Sequence, residues 1–215
     1  MARQAKAEKA GKTKPVRDAQ ATQAVILAAA EVEFAQHGFI AARTEAIAAK
    51  TGVAKSMIYY YFKDKEGLYQ AVLERSHSDL LQTSQQLDLN HLSPEVALEK
   101  FLIALLDCVS RNPKLPMIMF HEAVQNQGKY YKCSSSLDID TILVKILERG
   151  ITEGTFRQLD PFQSAINIMG ACLFYFIGAG NIQHHPQGKR LLSKAMLEQH
   201  RQEAIALILA GVRKA

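Results

Sequence analysis

Between Thr44 and Lys65 the chain reads TEAIAAKTGVAKSMIYYYFKDK, a stretch that gathers side chains suited to meeting a polyanion. Three consecutive phenols, Tyr59, Tyr60 and Tyr61, lie between Lys55 on one side and Lys63 and Lys65 on the other, with hydroxyls at Thr44 and Ser56. Phosphate oxygens accept hydrogen bonds from Lys, Tyr, Thr and helix N-termini, and such contacts supply most DNA affinity. Successive residues on a helix point about 100° apart, so three adjacent tyrosines cannot all be core. At least one faces outward, and an exposed phenol among lysines calls for a partner. The bases Arg43, Lys50, Lys55, Lys63 and Lys65 outweigh Glu45 and Asp64, a local charge of +3.

Other chemistry finds little support. Phe120-His121-Glu122 begins like a zinc-protease helix, but no second His follows at the required spacing. Gly178-Ala179-Gly180 lacks both a third glycine and a preceding strand. His184-His185 offers two metal ligands without visible companions, and no nucleophile elbow or phosphate loop occurs. The expectation is a non-enzyme with no metal and no cofactor. Cys108, Cys133 and Cys172 are odd in number and widely spaced, which argues against a disulfide framework and for a reducing cytoplasm.

The elements that must position the phenols are helices. Ala, Leu, Ile, Lys, Gln and Glu dominate, and only 12 Gly and 6 Pro interrupt the 215 residues. Residues 1–17 are Ala/Lys/Gly-rich without apolar periodicity and carry the entire net charge of +5. They read as a disordered basic tail, solvated or reaching DNA; lacking an apolar h-region, they are no secretory signal. A first helix is expected over about 19–37, with Val25, Ile26, Ala29, Ala30, Val32 and Phe34 inward and Gly38 as its stop. Thr44 is a plausible N-cap for a second helix ending at Gly52. A third spans about 55–61 with Ile58 and Phe62 inward, and a fourth opens near Asp64. Helix, glycine turn, short helix is the pattern of a helix-turn-helix.

Further helices are expected at about 94–111, opened by Pro94, and at 115–126 and 137–152. A long one runs from Pro161 to about 183, and a last one ends at about 212. Residues 165–182 carry no charge, but Asn167, Asn181 and several small residues favour a buried or interface helix over a membrane span.

The stretch resembles the TetR family of one-component transcriptional regulators. The likeness rests on Phe34 and Gly38, Thr44, Ile47-Ala48, Gly52-Val53, and Ile58-Tyr59-Tyr60-Tyr61-Phe62 with Lys65 and Leu68. It implies an all-α fold of about nine helices. A three-helix DNA-binding domain (18–75) would be joined by helix four to a C-terminal ligand-binding and dimerisation domain (76–215). The resemblance further implies that Thr44 caps helix two and touches a phosphate, and that Lys55, Ser56 and Met57 face base edges. By the same likeness Tyr59 and Tyr61 bond phosphates, Tyr60 contacts DNA or packs beside it, and Lys65 neutralises a phosphate. Two departures stand out. Ala54 replaces a Ser or Thr cap, and Met57 replaces a Thr, exchanging a hydrogen-bond donor for a side chain that packs on a thymine methyl.

One short helix makes too few base contacts for genomic specificity, so a homodimer on palindromic operator DNA is expected. Its interface would come from 161–183, through Phe162, Ile166, Met169, Leu173, Phe176 and Ile177. The segment 189–212 would add Leu191, Leu192, Ala195, Met196, Ile205, Leu209 and Val212. Candidates for a small-molecule pocket are Phe101, Leu105, Cys108, Met117, Phe120, His121, Tyr130, Tyr131, Phe174 and Tyr175. The effector is unspecified. A repressor released by its effector is the simplest reading; an activator, an effector-independent DNA-binding dimer and a helical interaction module remain open.

Overall fold

The computed structural model describes residues 14–131, 137–186 and 190–214. Among the described residues there is no strand, only an isolated bridge between Phe156 and Arg213. The head consists of α1 (Lys14–Ala41), α2 (Thr44–Thr51) and α3 (Lys55–Phe62), and α4 (Lys65–Gln86) leads away from it. A 3-10 turn at Leu89–His91 precedes the body: α5 (Pro94–Arg111), α6 (Leu115–Asn126), α7 (Leu137–Thr152), α8 (Pro161–Ile177), α9 (Ala179–Ile182) and α10 (Lys194–Val212).

The head closes around residues at helical spacing. Ile26, Ala30 and Phe34 of α1 meet Ile47 of α2, Ile58 of α3, and Leu68, Tyr69 and Val72 of α4. Val25, expected in the α1 stripe, is half exposed, because it lies about 100° round the helix from Ile26. By length and hydropathy α1 could cross a bilayer, but its buried stripe assigns that apolarity to the core. Gly38 breaks the helix as expected, with one further turn to Ala41. The start at Lys14 falls inside the segment read as a tail. Residues 1–13, and with them most of the expected basic arm, lie outside the described residues.

The body core joins Leu98, Phe101, Leu102 and Leu105 of α5 to Leu143 and Leu147 of α7, Ile168 and Cys172 of α8, and Ile208 and Leu209 of α10. Arg149 pins the link between head and body by donating to the carbonyls of Leu89, Asn90 and Leu92 at 3.1, 2.7 and 2.8 Å. The long helix expected to reach residue 183 instead ends at Ile177, followed by the four-residue α9. Gly178 stands at the break and Gly180 follows within α9, and glycine's low helix propensity weakens the run there.

Two body residues belong to the head's core: Ile118 of α6 and Tyr130 in the turn beyond it. The Tyr130 ring lies 4.9 Å from Phe39 and 5.4 Å from Tyr69. Glu122, only 1% exposed, holds that turn, accepting the backbone N–H groups of Tyr130 at 2.7 Å and Tyr131 at 3.3 Å.

Candidate nucleic-acid interface

The turn between α2 and α3 depends on Gly52, whose φ of 70° falls where glycine alone is unstrained. Its N–H returns to the Ala48 carbonyl at 2.9 Å and closes α2. Thr51 reinforces the corner, its hydroxyl donating to the Ile47 carbonyl at 2.9 Å and accepting from Val53 N–H at 3.3 Å. The α3–α4 corner is tighter. Asp64 N–H bonds the Phe62 carbonyl at 2.8 Å across Lys63, which takes a positive φ of 68°. The Asp64 carboxylate then caps α4 by accepting Gly67 N–H at 2.7 Å, as its position suggested. A Cβ on Gly67 would stand 2.2 Å from the Phe62 carbonyl oxygen, so this corner admits no larger residue without shifting backbone. Sequence reasoning missed Gly67, because that close approach is set by how α3 meets α4.

These corners leave α3 attached through Ile58, which is completely buried, while its other faces point outward. Lys55, Ser56, Tyr59 and Tyr60 are exposed, Tyr60 at 77% and Tyr59 at 38%. Met57 and Tyr61 are half-buried, and the Tyr61 ring meets Tyr60 edge-on at 5.2 Å. Arg43, Lys50 and Lys63 are exposed nearby. Hydroxyls, ammoniums and the free N-terminal end of α3 thus share one surface, an arrangement suited to phosphates on either side of a groove.

Several residues have partners inside the protein. Arg43, not Thr44, holds the N-cap of α2, and no side chain caps that end. Thr44 is the first helical residue and is buried, its hydroxyl 3.1 Å from that of Tyr59. Ala54 caps α3 with no side-chain bond. The Lys55 ammonium pairs with the Glu45 carboxylate and lies 5.5 Å from the centre of the Tyr59 ring. That hydrogen bond holds the Glu45 carboxyl below the usual carboxylate range and pushes Lys55 up. Lys65 is half-buried, donates to the Ile40 carbonyl at 3.1 Å and stands 5.0 Å over the Phe39 ring. Its burial pulls its pKa below the ordinary lysine value, against the opposing pull of Glu33.

The residues expected to line an effector pocket are spread over several environments among the described residues. Phe101, Leu105 and Cys108 are packed in the body core. Tyr130 is in the head's core. Phe120 and Phe174 are 45% and 64% exposed. Met117 is half-buried, and His121 bonds Gln125 at 3.1 Å. Tyr175 donates to the Leu191 carbonyl at 3.0 Å and stacks on His200 with ring centres 4.0 Å apart. An apolar cleft of about 270 Å³ lies between α6, α7 and α8, lined by Met119, Val144, Phe162, Ala165, Ile166, Met169 and Leu173. A second, of about 470 Å³, is lined by Met119, Glu122, Ala123, Gln127, Gly128 and Tyr131, so Tyr131 alone of the expected residues reaches these two clefts.

The residues expected at a dimer face divide between the two sides of their helices. Phe176, Leu191, Leu209 and Val212 are buried within the subunit. Outward on α8 stand Phe162, Ile166, Gly170 and Phe174, each four residues apart, and outward on α10 stand Ala206, Leu207 and Ala210.

Comparison with known proteins agrees with this geometry. Residues 26–72 match the family of bacterial regulatory proteins, tetR family, and residues 94–208 match the tetracyclin repressor-like C-terminal domain. The HTH-type transcriptional repressor NicS of Pseudomonas putida is 31% identical over 163 residues, covering 73% of this chain and 76% of its own. The HTH-type transcriptional regulator RutR of Escherichia coli is 46% identical over 59 residues, 27% of this chain and 28% of its own. In fold, the ketosteroid transcriptional regulator KstR2 of Mycobacterium tuberculosis superposes with a TM-score of 0.72 at 20% identity, covering 90% of this chain and 95% of that one. With both halves matched and the helix-turn-helix in place, the chain belongs to the TetR family of bacterial transcriptional regulators.

Proposed function

We propose that the protein is a cytoplasmic repressor that binds dyad-symmetric operator DNA as a homodimer and leaves it when a small organic effector binds the body. Its work is recognition rather than catalysis. The observation that carries the reading is the exposed face of α3: Lys55, Ser56 and Tyr60 project from a helix anchored by the buried Ile58. That helix is about 12 Å long, which matches the width of a major groove. NicS is named a repressor, which favours repression here.

The apolar stripes of α8 and α10 support dimerisation through those helices, with a two-fold axis placing the two α3 helices on successive grooves. The clefts beside Met119 support an effector with a largely apolar body, since both adjoin α6, which also packs in the head's core. An effector there acts by favouring a head spacing that no longer fits DNA. Selection of bound duplexes from a random pool tests the DNA reading. Enrichment of a dyad-symmetric motif with half-sites about one helical turn apart is expected. Enrichment of no motif, or of one without symmetry, overturns it.

A further inference from the structure

Glu45 is an acid on the surface that meets a polyanion. It lies in the first turn of α2, its side chain is 63% exposed, and its carboxylate pairs with the ammonium of Lys55, the first residue of α3. A second bridge runs alongside, from the Tyr59 hydroxyl to that of Thr44. The aliphatic stem of Lys55 is held close enough for its ammonium to sit 5.5 Å from the Tyr59 ring centre. Thr44, Glu45, Lys55 and Tyr59 therefore form one clasp between the bracing and recognition helices. Lys55 is otherwise well placed for a phosphate.

We propose that Glu45 restrains the electrostatic grip on duplex DNA: it occupies the Lys55 ammonium, so α3 meets arbitrary sequence with one cation fewer. Binding to arbitrary sequence is almost wholly electrostatic, with each neutralised phosphate releasing counterions. Specificity is the ratio of operator binding to that background. Withholding one cation per head lowers that background, and with it the time the protein spends on arbitrary sequence. The clasp also orients α3 at the end where Ala54 supplies no side-chain cap. The inference rests on the reading that α3 enters the groove.

The test is fluorescence anisotropy with the full-length protein on a random-sequence duplex of about three helical turns, between about 50 and 200 mM salt. Wild type, Glu45→Gln, Lys55→Gln and the double variant are compared, with circular dichroism confirming equal helicity. Glu45→Gln is expected to bind several-fold tighter at the low-salt end. Its slope of log affinity against log salt steepens by about 0.9 for each head engaged. In the Lys55→Gln background the same change of Glu45 leaves the slope unaltered. An unchanged slope in Glu45→Gln overturns the proposal. So does an equal steepening in the Lys55→Gln background, which assigns the effect to the carboxylate's own repulsion. Wild type that shows no salt-dependent binding overturns the groove reading itself, and this inference with it.

Discussion

Tyr60 carries the most direct residue-scale prediction. It is 77% exposed and its ring meets that of Tyr61 edge-on, so the fold gains little from it. Truncation to Ala should alter stability by less than about 0.5 kcal/mol, the usual range for exposed positions. On the proposed interface DNA affinity should nonetheless fall at least several-fold, because this phenol would face the duplex. Thermal melting and anisotropy on the same sample separate the two effects; a variant that melts and binds like wild type removes Tyr60 from the interface. The tyrosine run was legible in the sequence because adjacency on a helix forces some of the phenols outward. The roles of Glu45 and Gly67 were not. Glu45 meets Lys55 across the helix-turn-helix angle, and Gly67 is confined by a carbonyl of the preceding helix. Both depend on how two elements meet, which local pattern does not encode.

Elements followed their punctuation. Pro94, Pro161 and Gly52 stand where helices begin or end, and α6 and α7 occupy the expected ranges. Reading went wrong where punctuation was weak. A glycine inside an apolar run is compatible with an unbroken helix, so the stop before α9 at Gly178 was missed. Thr44 looked like a cap by residue type, but the chain enters α2 one residue earlier. The α3 N-terminus carries an element-scale prediction. Ala54 has φ −59° and ψ 137°, outside the helix, and no side chain bonds the first turn. Ala54→Ser supplies an acceptor for that turn and should stabilise the head by about 1 kcal/mol. Denaturant melts followed by circular dichroism check it; a lower midpoint would mean that the open N-terminus is already satisfied.

At the scale of the molecule, the sequence offered apolar residues of α8 and α10 for a dimer face or a core without separating the two sides of those helices. Phe176, Leu209 and Val212 turned out buried, whereas Phe162, Ile166 and Phe174 form an open stripe. Both faces are apolar, so the sequence alone cannot rank them. Ile166→Glu puts a charge in the stripe's centre and should yield monomers by light scattering, with operator affinity reduced by orders of magnitude. The division into head and body is the deeper case. The sequence drew its boundary inside α4, and Tyr130 fell on the body side. In the structure Tyr130 is 3% exposed and lies against Phe39 and Tyr69, completing the head's core. A head that folded alone would be indifferent to its loss. Here Tyr130→Ala should remove about 3–5 kcal/mol, the cost of deleting a buried aromatic ring. That is much of a typical domain's stability, so DNA binding should fail at temperatures where wild type still binds. Tyr130→Phe keeps the ring and should restore most of the loss. Calorimetry supplies the decisive trace: with a shared core, head and body melt together in wild type and shift together in Tyr130→Ala. Two transitions, with only the body's moving, would show that the head stands without this ring.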